Sequence, residues 1–305
     1  MQITAGDTAF ITGGASGIGL GMAEAFGAAG VRVIIADINS SALGEAENAL
    51  RAHGIEASSV VLDVARPDNW QEALKVAGPV DILCNNAGVA QARITFDKHL
   101  EMVDLPLPLW QMMMDVNVNG VFLGMKTFAP AMIERGRGHI VNTASMAGLL
   151  APGGLSAYIA SKFAVMGLSE SAAAELAPRG VGMSILCPGG VQSNLVANTA
   201  SMRARLPDMN DGKVKELITA PLPHAPKMSP RKVGDRVLKA IQDDELFIIT
   251  HPEYDVLIEE RFAAVRAAIG ASAEPGYLDT PAMLERSRNQ VYVDQAGRVC
   301  GRAAE

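Results

Sequence analysis

Thr12-Gly13-Gly14-Ala15-Ser16-Gly17-Ile18-Gly19 follows an apolar segment, residues 8–12, and opens an alanine-rich segment, residues 17–29. This order predicts a strand, a glycine-rich turn and a helix. Glycine lets the backbone approach an anion closely, and the free N–H groups of the first helical turn, together with the positive end of the helix dipole, would face that anion. The turn could therefore hold a pyrophosphate, although a tight strand-to-helix turn without a ligand has the same sequence features.

Short apolar segments alternate with longer helical segments along the chain. The predicted strands are residues 8–12, 31–36, 60–64, 80–85, 140–144, 182–187 and 247–250. The predicted helices are residues 17–29, 41–52, a segment around 110–132, 158–177 and 231–243. Near-continuous Val and Ile runs are typical of strands that are covered on both faces. The sequence therefore predicts an α/β fold, a Rossmann-type, doubly wound, seven-stranded parallel sheet with helices on both faces.

Two insertions interrupt the alternation. Residues 91–108 follow the fourth predicted strand, and residues 190–230 follow the sixth. Ligands bind beyond the carboxyl ends of the strands in a doubly wound sheet, so both insertions are expected to form the wall of a substrate pocket. We predict a single domain over residues 1–270 and a carboxyl-terminal extension over residues 271–305 that could cover a neighbouring surface.

Charge and composition argue against several kinds of partner. The net charge is −7 at pH 7 and the basic residues are dispersed, so a nucleic acid partner is not expected. The first residues have no basic segment followed by an apolar one, and no stretch reaches the roughly 18 apolar residues of a membrane span. We therefore expect a cytoplasmic protein with no membrane contact. Cys84, Cys187 and Cys300 lie far apart, which favours neither disulfides nor a metal site.

An acidic residue after the second predicted strand indicates which dinucleotide the turn would hold. Asp37 lies about 20 residues beyond the turn, where a carboxylate can accept hydrogen bonds from both adenosine ribose hydroxyls. A carboxylate there would repel a 2′-phosphate, and no Arg or Lys stands beside it. NAD is therefore expected rather than NADP, although Asp37 could instead cap a helix. Asp63 and Val64, after the third predicted strand, could reach the adenine edge.

Further motifs give residues from about 5 to about 250 a resemblance to the short-chain dehydrogenase/reductase family. Gly13, Gly17 and Gly19 have that family's Gly-x-x-x-Gly-x-Gly spacing. The other matching segments are Asn85-Asn86-Ala87-Gly88, Val116-Asn117-Val118-Asn119-Gly120, Ser145 thirteen positions before Tyr158, Tyr158-Ile159-Ala160-Ser161-Lys162 and Pro188-Gly189. Each motif is common alone, but here they occur together, in the family's order and on the expected elements.

The resemblance implies a dinucleotide site that spans much of the chain. The family commonly has Thr where this chain has Ser193, which keeps the hydroxyl that would hold the nicotinamide carboxamide. The expected cofactor-binding residues are Gly13, Ser16, Gly17, Ile18, Gly19, Asp37, Asp63, Val64, Asn86, Ala87, Gly88, Tyr158, Lys162, Pro188, Gly189, Val191 and Ser193.

The expected catalytic residues are Asn117, Ser145, Tyr158 and Lys162. Hydride exchange between a secondary alcohol and a nicotinamide requires a group that moves the hydroxyl proton and a donor that holds the oxygen. Tyr158 would be the acid/base if Lys162 and oxidised nicotinamide lower its pKa by ~2–3 units, or roughly 3–4 kcal/mol. Ser145 would hold the oxygen. The resemblance adds that Lys162 binds the nicotinamide ribose and that Asn117 holds a water, whereas Asn117 could instead bond the backbone at a helix irregularity.

Apolar residues near the expected catalytic oxygen predict the substrate class. They are Met146, Leu149, Leu150, Leu155, Leu195 and Met202, of which half could simply belong to the core. They favour a bulky hydrophobic or aromatic secondary alcohol or ketone over a sugar. Arg93, Arg203 and Arg205 could bind an anionic group. Residues 248–253 and the long carboxyl terminus resemble family members that oxidise aryl secondary alcohols, as in lignin-fragment breakdown.

Three alternative functions share some of these motifs. The same residues would serve a ketone, 3-oxoacyl or steroid-type reductase. A sugar-nucleotide epimerase should show Gly-x-x-Gly-x-x-Gly and a larger carboxyl-terminal domain, neither of which is present in this sequence. A non-catalytic NAD-sensing protein would have no need of Ser145, Tyr158 and Lys162 together. The resemblance also implies a homodimer or homotetramer.

Overall fold

The computed structural model describes residues 1–91, 100–203, 206, 227–269, 284–285 and 287–302. Parts of both predicted insertions lie outside these residues, and so do Arg93 and Arg205. Within the described residues, the chain forms seven strands and ten helices.

The strands form one parallel sheet. They are β1 (Thr8–Thr12), β2 (Arg32–Asp37), β3 (Ala57–Val61), β4 (Ile82–Asn85), β5 (Gly138–Thr143), β6 (Val181–Cys187) and β7 (Phe247–Ile249). Their order in the sheet is β3-β2-β1-β4-β5-β6-β7. The chain builds outward from β1 to one edge and then returns to add β4 on the other side of β1. This reversal opens a crevice beyond the carboxyl ends of β1 and β4, and the predicted doubly wound α/β fold is confirmed.

Helices cover both faces of the sheet. They are α1 (Gly17–Ala28), α2 (Ser40–Ala52), α3 (Pro67–Ala77), α4 (Leu107–Met114), α5 (Gly120–Arg135), α6 (Ser156–Leu176), α7 (Leu195–Arg203), α8 (Pro230–Asp243), α9 (Asp255–Ala267) and α10 (Gln290–Arg302). Helices α1, α2 and α8 pack on one face, whereas α3, α4, α5 and α6 pack on the other. None of the described helices combines the length and apolarity that a membrane span requires.

The side chains of β1 alternate between the two faces of the sheet, and each face has its own hydrophobic core. Phe10 points to the α5 side, where its ring centroid lies 4.8 Å from that of Phe128. Ala9 and Ile11 point to the α1 side. Trp70 completes the aromatic group and donates from Nε1 to the Val64 carbonyl, 2.9 Å away. Both faces of the strand are therefore buried, which explains its continuous apolar sequence.

The third strand begins and ends earlier than predicted. The apolar run after residue 59 suggested residues 60–64, but β3 pairs with β2 from Val33–Ala57 to Asp37–Val61. This strand is at the edge of the sheet and is partly exposed, so Ser58 and Ser59 are tolerated within it and the apolar pattern is lost. Leu62 continues into the core from the following loop.

The predicted helix around residues 110–132 is interrupted. Between α4 and α5 lies a π-helical turn, Asp115–Asn119, in which the Gly120 N–H bonds the carbonyl of Asp115 five residues back. A single apolar period cannot reveal such a turn, because the residues on either side remain helical. Helix α3 was not predicted, since its surface is mostly polar.

The described part of the predicted extension packs on its own chain. Asn289 donates from its side-chain amide to the Glu170 carbonyl at 3.0 Å, and the Tyr292 hydroxyl bonds the Glu170 carboxylate. Gln295 donates to the Asp244 carbonyl at 2.9 Å. Helix α10 therefore lies against the carboxyl-terminal half of α6.

A fully buried histidine in β5 makes the stability of the fold depend on pH. His139 bonds through Nε2 to Ser184 Oγ at 2.9 Å, and Ser184 donates onward to the Glu245 carbonyl. Burial lowers the pKa of His139 to about 3, from 6.5 for a free imidazole. Between these values the unfolded chain binds one more proton than the folded chain, so stability falls as the pH drops below 6.5.

We predict that lowering the pH from 7 to 5 removes about 2 kcal/mol of unfolding free energy through His139 alone. The measurement is the free energy of unfolding in urea at both pH values. His139→Gln should be less stable than wild type at pH 7 but should lose less unfolding free energy when the pH is lowered. His53→Gln, at an exposed position, should show the wild-type change of unfolding free energy with pH. An unchanged pH slope in His139→Gln would contradict the prediction.

Candidate active site

A groove crosses the carboxyl ends of the central strands and consists of three adjoining cavities. The Asp37 cavity has a volume of about 400 Å³ and lies beyond the ends of β1 and β2. The Tyr158 cavity, of about 110 Å³, lies beyond β4 and β5 and is also bordered by Lys162. The Ser16 cavity, of about 320 Å³, lies at the outer side of α1 and α2. The topological reversal of the sheet therefore coincides with a continuous groove.

The glycine turn forms the floor of this groove. Gly13 and Gly17 have φ angles of +64° and +54°, which favour glycine. A Cβ at Gly13 would lie 3.0 Å from the Cα of Ala87, and one at Gly17 would lie 3.0 Å from the Cβ of Ser193. At Gly19 it would come within 2.2 Å of the Gly13 carbonyl oxygen. The turn thus presents bare backbone at the start of α1, a cradle that fits a pyrophosphate.

Asp37 borders all three cavities. Its Oδ1 accepts a hydrogen bond from the Asn39 N–H at 3.1 Å. The cap of α2 is Asn39, whose side chain accepts from Ala42 N at 3.1 Å, so Asp37 is not the helix cap. Asp63 and Val64 border the same Asp37 cavity. The carboxylate of Asp37 is therefore free to meet a ligand in the groove.

A hydroxyl at the end of β1 ties the glycine turn to β4. Thr12 Oγ1 accepts from the backbone N–H groups of Asn86 and Ala87, each at 2.9 Å. Asn86 returns a hydrogen bond from Nδ2 to the Thr12 carbonyl at 3.0 Å and accepts one from Thr143 Oγ1 at 3.3 Å. The segment that ends in Gly88 is therefore held at the rim of the Asp37 and Tyr158 cavities.

The structure brings Ser145, Tyr158 and Lys162 together beyond β5. Lys162 is buried and donates from Nζ to the Thr143 carbonyl at 2.9 Å. The same Nζ lies 5.6 Å from the centroid of the Tyr158 ring, one helical turn away on α6. Ser145 follows β5, and its Oγ accepts from Ala147 N at 3.1 Å. A phenol, an ammonium and a hydroxyl thus meet at one end of the groove.

Burial has the largest effect on the pKa values of Tyr158 and Lys162. It raises the pKa of Tyr158, and the hydrogen bond with Ser145 acts in the opposite direction. Burial also lowers the pKa of Lys162 to about 8, which leaves the ammonium mostly protonated at neutral pH. The lowered phenol pKa that the sequence led us to expect is therefore not produced by the protein groups alone. A further positive charge beside the ring, such as that of oxidised nicotinamide, would be needed.

Asn117 is fully buried in the π-helical turn, and protein groups occupy both ends of its amide. Its Oδ1 accepts from Val89 N at 2.8 Å, and Nδ2 donates to the Val89 carbonyl and to Ser161 Oγ, each at 2.9 Å. The side chain therefore fixes the loop after β4 against α6, next to Lys162. This is the backbone-bonding alternative considered above, located beside the catalytic group.

The loop after β6 is fixed by residues that were not predicted. Gly189 donates its N–H to His251 Nδ1 at 3.1 Å, and a Cβ on this glycine would collide with the His251 ring. Pro188 borders the Tyr158 cavity. Val191 pairs with Met228 in an isolated parallel bridge. Gly189 and Val191 therefore hold the loop in place through His251 and Met228, and neither of them borders the described cavities.

The expected substrate residues are separated in the structure. Leu195 borders the Tyr158 cavity, as expected. Met202 instead borders the Asp37 cavity, at the other end of the groove, and Met146 is buried in the core with 5% exposure. Leu155 is half-buried immediately before α6. The sequence could not separate these positions, because α7 presents residues to both ends of the groove.

Several residues that border or support the site were missed. They are Thr12, Thr143, Ser161, Asn194, Asn198, Thr199, Ser201 and His251. Most act through a backbone atom or bond another part of the chain, so they have no local sequence pattern. The position of Thr12 and Thr143 at the last residue of a central parallel strand is a signal that could have identified them.

Comparisons with known proteins agree with this geometry. A family model described as short chain dehydrogenase matches residues 7–204. C alpha-dehydrogenase from Sphingobium sp. is 33% identical over 272 residues, which are 84% of each chain. 3beta-hydroxysteroid dehydrogenase 2 from Eggerthella lenta is 38% identical over 198 residues, 63% of this chain and 74% of the relative. The crystal structure of a short-chain dehydrogenase/reductase from Burkholderia phymatum in complex with NAD superposes with a TM-score of 0.76 at 31% identity, covering 91% of this chain and all of that one (100%).

The family model covers well over half of the chain, and the C alpha-dehydrogenase and the Burkholderia phymatum structure cover 84% and 91% of it. The chain therefore belongs to the short-chain dehydrogenase/reductase family and is an oxidoreductase that acts on CH–OH groups with a nicotinamide nucleotide.

Proposed function

We propose that this chain is an NAD-dependent dehydrogenase of secondary alcohols, and equally a reductase of the matching ketones. The observation that carries the proposal is the placement of two chemical groups along one groove. The Asp37 carboxylate borders all three cavities, and Tyr158 and Lys162 border the one beyond β4 and β5, with Ser145 hydrogen-bonded to Tyr158. The glycine turn lies between them, so a dinucleotide can extend from the carboxylate to the phenol.

Each group of the catalytic cluster has a distinct task. The bound nicotinamide supplies hydride transfer to or from the substrate carbon. Tyr158 takes the hydroxyl proton during oxidation and returns it during reduction. Ser145 donates a hydrogen bond to the substrate oxygen as charge develops there. Lys162, held by the Thr143 carbonyl, provides a positive charge beside the phenol. The family resemblance implies that it would also bind the ribose next to the nicotinamide. Asn117 positions the loop that faces Lys162.

NAD is the proposed cofactor because the Asp37 cavity has an acidic rim. Among the described residues that border the Asp37 and Ser16 cavities none is basic, and Asp63 and Glu45 add two further carboxylates. A 2′-phosphate at the adenosine ribose would meet repulsion without a compensating cation. Ser16 and Ile18 would contact the pyrophosphate region, and Ser193 the nicotinamide region.

The proposed substrate is a bulky hydrophobic or aromatic secondary alcohol or ketone. Leu195 supplies an apolar wall beside Tyr158, and Leu149, Leu150 and Leu155 lie on the segment between Ser145 and α6. The relatives named C alpha-dehydrogenase and hydroxysteroid dehydrogenase are consistent with this class. A steroid-type or 3-oxoacyl reductase is the alternative within the same chemistry. A cytoplasmic location and a homodimer or homotetramer remain predictions.

The proposal is tested first by activity. We predict that the purified protein oxidises NADH in the presence of aryl ketones, followed by absorbance, and that Tyr158→Phe lowers kcat by at least about 10²-fold while the Kd for NADH changes little. Phenylalanine keeps the ring and removes only the proton-carrying hydroxyl. No turnover by the wild-type protein on a panel of aryl, steroid and 3-oxoacyl ketones, despite NADH binding, would instead support the non-catalytic NAD-sensing alternative.

The cofactor preference depends on Asp37. We predict that Asp37→Ala raises the Kd for NADH about tenfold, because two hydrogen bonds to the ribose are lost. The Kd for NADPH should then be closer to the Kd for NADH than in the wild-type protein. Glu56→Gln is the matched control, since it removes an exposed carboxylate that borders none of the described cavities. Isothermal titration gives both constants. An NADH-to-NADPH ratio that is the same in Asp37→Ala and wild type would remove the ribose assignment.

The pH profile depends on Ser145. Oxidation requires the phenolate, so its rate falls as the pH drops below the pKa of Tyr158. The hydrogen bond with Ser145 lowers that pKa, so Ser145→Ala should move the acid limb of the oxidation profile to higher pH, in addition to lowering the rate. The measurement is kcat/KM for an alcohol against pH. A limb that stays in place or moves to lower pH would contradict this role.

A further inference from the structure

Helix α7 has two different faces above the groove. Asn198, Ser201 and Met202 lie on the face that borders the cavities, one helical turn or less from one another. The opposite face is buried: Thr199 is 3% exposed and Arg203 is 4% exposed. Thr199 Oγ1 accepts from Ala90 N at 2.9 Å, which attaches this face to the loop after β4. A helix buried on one face thus presents polar side chains towards the groove on the other.

Asn198 occupies a special place on that face. Together with Asp37, it is one of two described residues that border all three cavities. Its side chain is exposed, and no hydrogen bond joins its amide to another group within the described ranges. The amide therefore offers both a donor and an acceptor to a ligand in the groove.

The residues just before α7 pack closely against the glycine turn, and this contact limits where Asn198 can lie. Ser193 approaches the turn so closely that a Cβ on Gly17 would lie 3.0 Å from the Cβ of Ser193. Gly13 and Ser16 form the floor of the groove, and Asn198 borders the same cavities from above. Each of the three cavities that Asn198 borders is also bordered by Gly13 or Ser16, so Asn198 lies across the groove from the turn that is expected to hold the pyrophosphate.

We infer that Asn198 is a cofactor-binding residue that donates from its side-chain amide to the pyrophosphate of the bound dinucleotide, on the side opposite the glycine turn. This inference rests on the proposed function, because it requires a dinucleotide in the groove. A neutral amide suits the position because it can bind phosphate oxygens without carrying a positive charge. A cation beside Asp37 would weaken the rejection of a 2′-phosphate.

The same helix joins the cofactor groove to the substrate side. Asn198 faces the dinucleotide, whereas its neighbour Thr199 holds Ala90, the residue before the first predicted substrate insertion. Leu195, at the start of α7, borders the cavity of Tyr158. A dinucleotide bound by Asn198 would therefore hold in place the helix that supplies part of the substrate wall.

The test measures binding of ADP-ribose by isothermal titration, because this ligand carries the pyrophosphate and both riboses but has no nicotinamide. Asn198→Ala should raise its Kd about five- to tenfold, as expected for one hydrogen bond to a charged group. Asn198→Asp keeps nearly the same side-chain shape but places a carboxylate opposite the phosphates, so the Kd for ADP-ribose should rise further. This additional loss of affinity should be smaller at high salt, where the repulsion is screened.

Val196→Ala is the matched control, since it shortens an exposed side chain of α7 that borders none of the described cavities. It should leave the Kd for ADP-ribose within twofold of wild type. The inference is overturned if Asn198→Ala also binds ADP-ribose within twofold of wild type, or if Val196→Ala loses as much affinity as Asn198→Ala. If the wild-type protein binds neither ADP-ribose nor NADH, the proposed function itself fails.

Discussion

The hydrogen bond from Lys162 Nζ to the Thr143 carbonyl is the interaction on which the active site depends. It joins the end of β5 to α6 and keeps a buried ammonium one helical turn from Tyr158. The cost of burying that charge appears in the lowered pKa of Lys162. Among the described residues, the Thr143 carbonyl accepts from this ammonium and compensates part of the cost. The proposed dinucleotide, bound beside it, would supply further polar partners.

The sheet creates this arrangement through its topology. Because the chain reverses between β1 and β4, the carboxyl ends of neighbouring strands carry Thr12, Asn86 and Thr143 to a common rim. Side-chain and backbone hydrogen bonds among these three residues link the glycine turn to the strand that precedes Ser145. The cofactor cradle and the catalytic cluster are thus parts of one bonded framework, and a change in the first would be transmitted to the second.

The sequence predicted the features that depend on local patterns. Buried parallel strands have continuous apolar runs, and the glycine turn and the Tyr158–Lys162 pair have fixed spacings, so these were found. The differences concern features set by distant contacts. Strand β3 is partly exposed and lacks an apolar pattern. The helix irregularity at Asn117 was predicted only as an alternative, because it depends on hydrogen bonds to Val89. Met202 borders the Asp37 cavity and not the Tyr158 cavity, a position that depends on the contacts of α7 near Ser193 and at Thr199 and that no local pattern reveals. Its contact with the substrate stays a prediction.

The most direct test is a crystal structure of the protein with NAD and a ketone or alcohol. We expect the NAD pyrophosphate on the turn from Gly13 to Gly19, and the hydroxyl groups of Tyr158 and Ser145 both within hydrogen-bonding distance of the substrate oxygen. Tyr158 turned away from the nicotinamide in the presence of both ligands would contradict the proposed mechanism.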